Sequence, residues 1–234
     1  NDIGDEKAEF LKAVDYFNVF EMATLSKYVA LKHVATMDSS SQNLIYADSD
    51  IWFESCVDPF LEPLKDGVCG VFSAHSLSLS SSEPIYELTI YHGINAGIFA
   101  LDKSALSTTM FLDFMIQKML DLGLWESNFF TADQSILSIG VTKLGEAARI
   151  SSLEAVNLAY WNITERHLQI KNGKPFVNDL PVICIHFSGF DLNSEHLSKH
   201  GYIEPSDAIN HIVQVYKSGI DCSINYHHKN LKNA

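Results

Sequence analysis

Two aspartates, Asp48 and Asp50, stand one residue apart directly behind a short apolar run, Leu44-Ile45-Tyr46-Ala47. If extended backbone continues past Ala47, their side chains fall on one side and a divalent cation can bridge the two carboxylates, with Ser49 between them. Surface loops also carry D-x-D by chance, and it is the position behind an apolar strand that singles this one out. His186 closes another apolar run, Val182-Ile183-Cys184-Ile185. It reads either as a core histidine satisfied by a backbone carbonyl or as a third ligand to the same ion. In the second case Ser188 and Gly189, just beyond it, offer backbone N–H groups to a phosphate.

Other polar groups invite the same double reading. Asn95-Ala96-Gly97 is either strand filler or a place where small residues let a ligand approach the backbone, with Asn95 able to donate and accept. Asp133-Gln134 opens a helix, where an acidic residue either complements the helix dipole or faces a ligand. His75 ends a strand and carries the same alternatives as His186. Trp161, Asn162 and Arg166 read as acceptor-site groups or as an aromatic core residue with its polar neighbours and a surface cation. The chain has no G-x-G-x-x-G, Walker lysine loop, G-x-S-x-G elbow or H-E-x-x-H, so dinucleotide, P-loop, hydrolase-elbow and zincin chemistries lack their motifs.

The elements that must position these residues follow from periodicity. Residues 6–37 carry apolar residues at helical spacing and read as one or two helices, broken by the Asp38–Ser41 cluster. Residues 44–47, 67–73, 94–101 and 182–187 read as buried strands. Residues 76–82 read as a serine-rich loop. Residues 104–122 read as an amphipathic helix stopped by Gly123. Thr131 is the expected N-cap of the next helix, and 206–218 the last one. Lys171-Asn172-Gly173-Lys174 predicts a hairpin, because Asn-Gly supplies the positive φ angles of a type I′ turn. Buried strands alternating with helices predict an α/β domain with a mostly parallel sheet, its ligands beyond the carboxyl ends of the strands.

Composition bounds the partners. At 234 residues, one domain spanning 1–234 is the expectation. A hydrophobic content of 47% and a mean hydropathy of +0.03 exclude a disordered chain. The net charge of −13 argues against nucleic acid and against adhesion to an anionic membrane, and a diphosphate ligand would need a bridging cation or a local basic pocket. The four cysteines show no metal-ligand spacing and read as reduced, mostly buried thiols of a cytoplasmic protein. No apolar run reaches the roughly 20 residues of a membrane span.

Taken in order, LIYADSDIWF, INAGIFAL, ADQSIL, NLAYWNITER and IHFSGFD resemble bacterial GT-A glycosyltransferases of the polysaccharide- and lipopolysaccharide-building kind. They are similar, more distantly, to glycogenin and the lipopolysaccharide galactosyltransferases. The resemblance covers roughly residues 18–200. It implies a Rossmann-like GT-A sheet and transfer of a hexose from a nucleotide sugar, UDP-sugar favoured, to a glycan or lipid-linked acceptor, with peripheral membrane association compatible. Asp48, Asp50 and His186 would hold Mn²⁺ or Mg²⁺, which suit oxygen donors with one imidazole. Asn95, Ala96 and Gly97 would line the donor sugar, Asp133 and Gln134 would face its ring and reacting carbon, and Lys27 would place a cation near the donor. The implied outcome is retention of anomeric configuration, with inversion through Asp133 as base the alternative. Such enzymes open with a strand–helix–strand unit for the nucleoside, and nothing before Asn18 resembles it, so the chain is expected to be N-terminally incomplete.

Two other classes compete. A metal-dependent nucleotidyltransferase or phosphohydrolase would also want paired aspartates at a strand end, and would want further acidic ligands for a second metal. A non-catalytic glycosyltransferase-like module would bind carbohydrate or a partner without turnover.

Overall fold

The computed structural model describes residues 17–37, 40–75, 93–121, 133–194 and 196–231. The chain separates into two compact units. The first comprises residues 1–47 and 58–152, and the second Asp48–Val57 with Leu153–Ala234. Among the described residues no helix is long and apolar enough to cross a membrane.

The first unit begins with α1 (Val19–Thr36). Asn18 caps it in a reciprocal box: its side chain accepts from the Glu21 N–H, and the Glu21 carboxylate accepts from the Asn18 N–H. Strands β1 (Asn43–Ala47), β3 (Gly70–Ala74), β4 (Ile94–Asp102) and β5 (Ala148–Ser151) form one sheet in the order β1-β4-β3-β5. Helices α3 (Leu106–Asp121) and α4 (Gln134–Leu144) join α1 over this sheet, around a core that includes Leu25, Tyr28, Phe72, Phe99, Leu112 and Met115. The eight residues Ile94–Leu101 are all buried, as their apolar run requires.

The second unit carries β2 (Ile51–Phe53), β6 (Leu158–Ala159) and β10 (Cys184–His186) in the order β2-β10-β6, plus the sheet β7 (Leu168–Lys171), β8 (Lys174–Val177) and β9 (Leu180–Pro181). Helix α5 (Asp207–Leu231) packs on them through Ile212, Val213 and Tyr216. The β7–β8 turn has Asn172 at φ 52° and Gly173 at φ 75°, the two left-handed residues expected of Asn-Gly.

Several expectations need correction. The strands are not mostly parallel: five of the seven pairings among the described residues are antiparallel, and β4 runs against both β1 and β3. A continuous apolar run reports burial on both faces and says nothing about the direction of its neighbours. Gly67 does not open a strand. It follows the short helix α2 (Asp58–Lys65) at φ 89°, where its N–H bonds the Leu64 carbonyl. The last helix, expected over 206–218, runs on to Leu231 through Gly219, where a Cβ would lie 2.4 Å from the Trp52 ring, so glycine there serves close packing. Cys69 and Cys184 are buried while Cys56 and Cys222 are exposed, all four free. The Thr131 cap, the Gly123 stop, the serine-rich loop and the first helical stretch before Phe17 lie outside the described residues.

Candidate functional site

The second unit brings Asp48, Asp50 and His186 together. One ligand atom from each lies within 4.8 Å of the others, and His186 Nε2 stands 3.2 Å from Asp50 Oδ1. The aspartates are not held by strand pleat. The backbone turns after Ala47, with the Ile51 N–H donating to the Asp48 carbonyl at 3.1 Å, and Ser49 is exposed at the tip. Antiparallel pairing of β2 with β10 sets His186 opposite Ile51, and the Phe187 N–H donates to the Asp50 carbonyl at 2.9 Å. Register, not sequence spacing, therefore carries the histidine to the aspartates.

His186 is held from behind. Its Nδ1 meets Asn157 Oδ1 at 3.1 Å, which places the proton on Nδ1 and turns Nε2 toward the carboxylates. Asn157 is fully buried at φ 56°, a left-handed conformation that asparagine tolerates better than most residues. Its carbonyl accepts from Asn162 Nδ2 at 3.0 Å, while Asn162 Oδ1 accepts from the Ala159 N–H at 2.9 Å. Trp161 sets its ring edge-on to His186, with centroids 5.2 Å apart.

Arg166 is no surface cation. It is buried, and one guanidinium nitrogen donates to the Glu154 and Val156 carbonyls at 2.6 and 2.9 Å. Burial lowers its pKa to about 10, with Glu165 and Glu154 opposing the shift. Asn162 and Arg166 thus brace the 154–166 segment that presents Asn157.

A carboxylate oxygen and an imidazole nitrogen 3.2 Å apart must share a proton or a cation. Burial pushes the Asp50 pKa up, but the His186 hydrogen bond and charge, together with Asp50's own backbone N–H, bring it below its ordinary value overall. Two atoms on one Mn²⁺- or Mg²⁺-sized ion stand at most about 4.4 Å apart, twice a bond of roughly 2.1–2.2 Å. The three ligand atoms lie within 4.8 Å of one another, so a few tenths of an ångström of movement at most brings them onto one ion. The donor set therefore fits a hard divalent cation, with Asn157 orienting the imidazole behind it.

Lys27, Asn95, Ala96, Gly97, Asp133 and Gln134 meet in the first unit. The β3–β4 register slips between Phe72 and Ser73: Phe72 pairs with Phe99 and Ser73 with Asn95, so Ala96, Gly97 and Ile98 bulge from the ladder toward β3. The freed backbone groups at Ala96 and Gly97 bond to side chains. The Ala96 N–H reaches Gln134 Oε1 and the Ala96 carbonyl reaches Lys27 Nζ, both at 3.4 Å, and the Gly97 N–H donates to Asn95 Oδ1 at 2.9 Å. Asn95 Nδ2 also reaches Gln134 Oε1 at 3.4 Å, and Gln134 Nε2 is buried with no partner among the described residues.

Asp133 occupies the N-cap position of α4 but does not cap it. Its Oδ2 accepts from Lys27 Nζ at 2.7 Å and from Tyr28 Oη at 2.6 Å. Lys27 also lies 4.5 Å from the centre of the Tyr46 ring. The reading of Asp133 as a residue serving only the helix dipole is thereby replaced by a buried ion pair.

His75 follows β3, its N–H bonded to the Gly93 carbonyl at 2.9 Å. Sequence reasoning missed Tyr28 and Asn157. The available signals were the neighbour of a suspected lysine and an asparagine just before a short apolar strand. No protein-family model matches the chain, and no curated protein is significantly similar to it.

Proposed function

We propose that the chain is a metal-dependent glycosyltransferase of GT-A type, moving a hexose from a nucleotide sugar, UDP-sugar favoured, to a glycan or lipid-linked acceptor in cytoplasmic polysaccharide assembly. The observation that carries the reading is the Asp48–Asp50–His186 cluster at the end of β1, with its ligand atoms within 4.8 Å of one another and the imidazole braced by Asn157. Mn²⁺ or Mg²⁺ bound there would act as a Lewis acid and offset charge on the departing diphosphate. Within the second unit Asn157 orients the imidazole of that centre, and within the first unit Gln134 and Asn95 carry amide groups of the kind that bind a sugar. Asp133 already accepts from Lys27 and Tyr28 on one oxygen, and this engagement favours retention over inversion with Asp133 as base.

The test is a panel of nucleotide sugars with Mn²⁺, read by thermal shift, donor hydrolysis and proton NMR of the first product. Mn²⁺ plus nucleoside diphosphate should stabilise the protein more than either alone, reaching about 2.7 kcal/mol over the unliganded protein at a hundredfold excess over Kd. Asp50→Asn should abolish that synergy without unfolding the chain. An α-linked product from an α-linked donor supports retention. Release of pyrophosphate instead of a nucleoside diphosphate, or binding with no turnover on any acceptor, would sink the transferase reading.

A further inference from the structure

The segment after His186 carries an arrangement that the metal cluster does not use. Phe187–Phe190 is a tight turn closed by the Phe190 N–H on the Phe187 carbonyl at 2.9 Å, with Gly189 at φ 68° in its third position. The ring of Phe187 stacks on Tyr216 of α5 at 3.8 Å, which fixes the start of the turn.

Both carbonyls of the turn's centre are engaged by one downstream stretch. Ser198 Oγ donates to the Ser188 carbonyl at 2.6 Å, and the Lys199 N–H donates to the Gly189 carbonyl at 3.0 Å. Ser198 Oγ in turn accepts the His200 N–H at 3.0 Å. The N–H groups of Ser188 and Gly189 meet no backbone acceptor among the described residues.

His200 is pressed on this turn. A Cβ added to Gly189 would lie 2.1 Å from His200 Cδ2 and 2.4 Å from Nε2, so glycine is required both by φ and by the imidazole against it. The His200 ring faces Tyr160 at 6.2 Å, Tyr160 meets Trp161 at 5.1 Å, and Trp161 meets His186 at 5.2 Å. His200 is thus tied to the metal cluster by backbone through the turn and by rings through Trp161. Asp191 Oδ1 takes the Asn193 N–H at 2.9 Å. The donors around the turn are its two backbone N–H groups, the exposed Lys199 ammonium and the exposed His200 imidazole, which keeps a ring N–H in either tautomer.

We propose that Lys199 and His200, set on the Ser188–Gly189 turn, form a cationic cradle for the diphosphate of the ligand beside the Asp48–Asp50–His186 cluster. The proposal rests on the nucleotide-sugar reading above and adds two binding residues that the sequence did not single out. It also meets the requirement set by a net charge of −13, that a diphosphate find local donors as well as a cation.

The test is calorimetric titration of the full chain with inorganic pyrophosphate, with and without Mn²⁺, using H200A, K199A, the double variant and H200Q. His200→Ala should weaken pyrophosphate binding about tenfold and the double variant further, while His200→Gln, which keeps an N–H donor, recovers part of the loss. Binding of Mn²⁺ alone should stay unchanged in all of them. Loss of pyrophosphate binding in the variants supports the cradle even where Mn²⁺ adds nothing to the wild type; the metal assignment alone would then fall. Sugar transfer absent from a protein whose cradle behaves as expected would remove the transferase reading and leave the diphosphate site standing. Unchanged affinity in the double variant, or no pyrophosphate binding by the wild type in either condition, overturns the proposal.

Discussion

The two polar clusters of this protein handle negative charge in opposite ways. In the first unit the Asp133 carboxylate is 6% exposed and one of its oxygens accepts from an equally buried ammonium and a phenol. In the second unit Asp50 is 36% exposed, and two aspartates crowd one imidazole that itself needs a shared proton or cation. The first cluster is neutralised from within and contributes to folding. In the second, Asp48 and Asp50 stand part-exposed beside the imidazole of His186, where a cation can reach them. A buried ion pair and an open ligand site can use the same residue types, and what separates these two is burial.

The sharpest way to break that comparison is Lys27→Met. Leaving the Asp133 carboxylate buried beside a thioether should cost about 3–5 kcal/mol, read by urea denaturation. A loss below about 1 kcal/mol would mean the first cluster is as open to solvent as the second.

Asn157→Ala should cost less in folding, about 1–3 kcal/mol for the unsatisfied buried Nδ1, and should also weaken Mn²⁺ binding about 10–100-fold. Calorimetry with Mn²⁺ checks this. Weakened metal binding with unchanged stability would locate the Asn157 effect in ligand orientation alone, and unchanged metal binding would remove Asn157 from the site.

The smallest effect is the pH dependence of Asp50. Its folded pKa lies below 3.8, so its contribution to stability is present above that value and is lost as pH falls through the lower folded one. Because the group is part-exposed, screening keeps the effect under about 1 kcal/mol. Acid unfolding of metal-free wild type and Asp50→Asn should therefore converge below pH 3.8, with the wild type more stable above it. Curves that stay parallel throughout would show that His186 and Asp50 do not interact.

Much of this architecture was legible in local pattern. The Asn-Gly hairpin, the buried runs of β1 and β4 and the helical spacing of α3 are set by turn chemistry and periodicity, which need only neighbouring residues. The aspartates at the end of β1 belong here too, because an apolar strand running into D-x-D is a local signal. Short elements were harder. The helix α2, with Phe60 and Leu64 buried four residues apart, spans too few turns to announce a period, and the three-residue strand β2 spans too few residues to show alternation.

Beyond that range lay everything that depends on pairing. The sequence alone determined that the chain is α/β, that β1 is followed by two carboxylates and that His186, Asn95 and Asp133 occupy the ends or openings of elements. Only the tertiary structure decided that β4 runs antiparallel to its neighbours and that a bulge frees Ala96 and Gly97 for Gln134 and Lys27. It also decided that β2–β10 register carries His186 to Asp50 across about 136 residues of chain. Likewise only the fold turned Arg166 inward and pressed His200 onto Gly189. The reason is physical: periodicity and caps are energies of adjacent residues, whereas strand direction, register and charge pairing are energies between residues that the sequence leaves far apart.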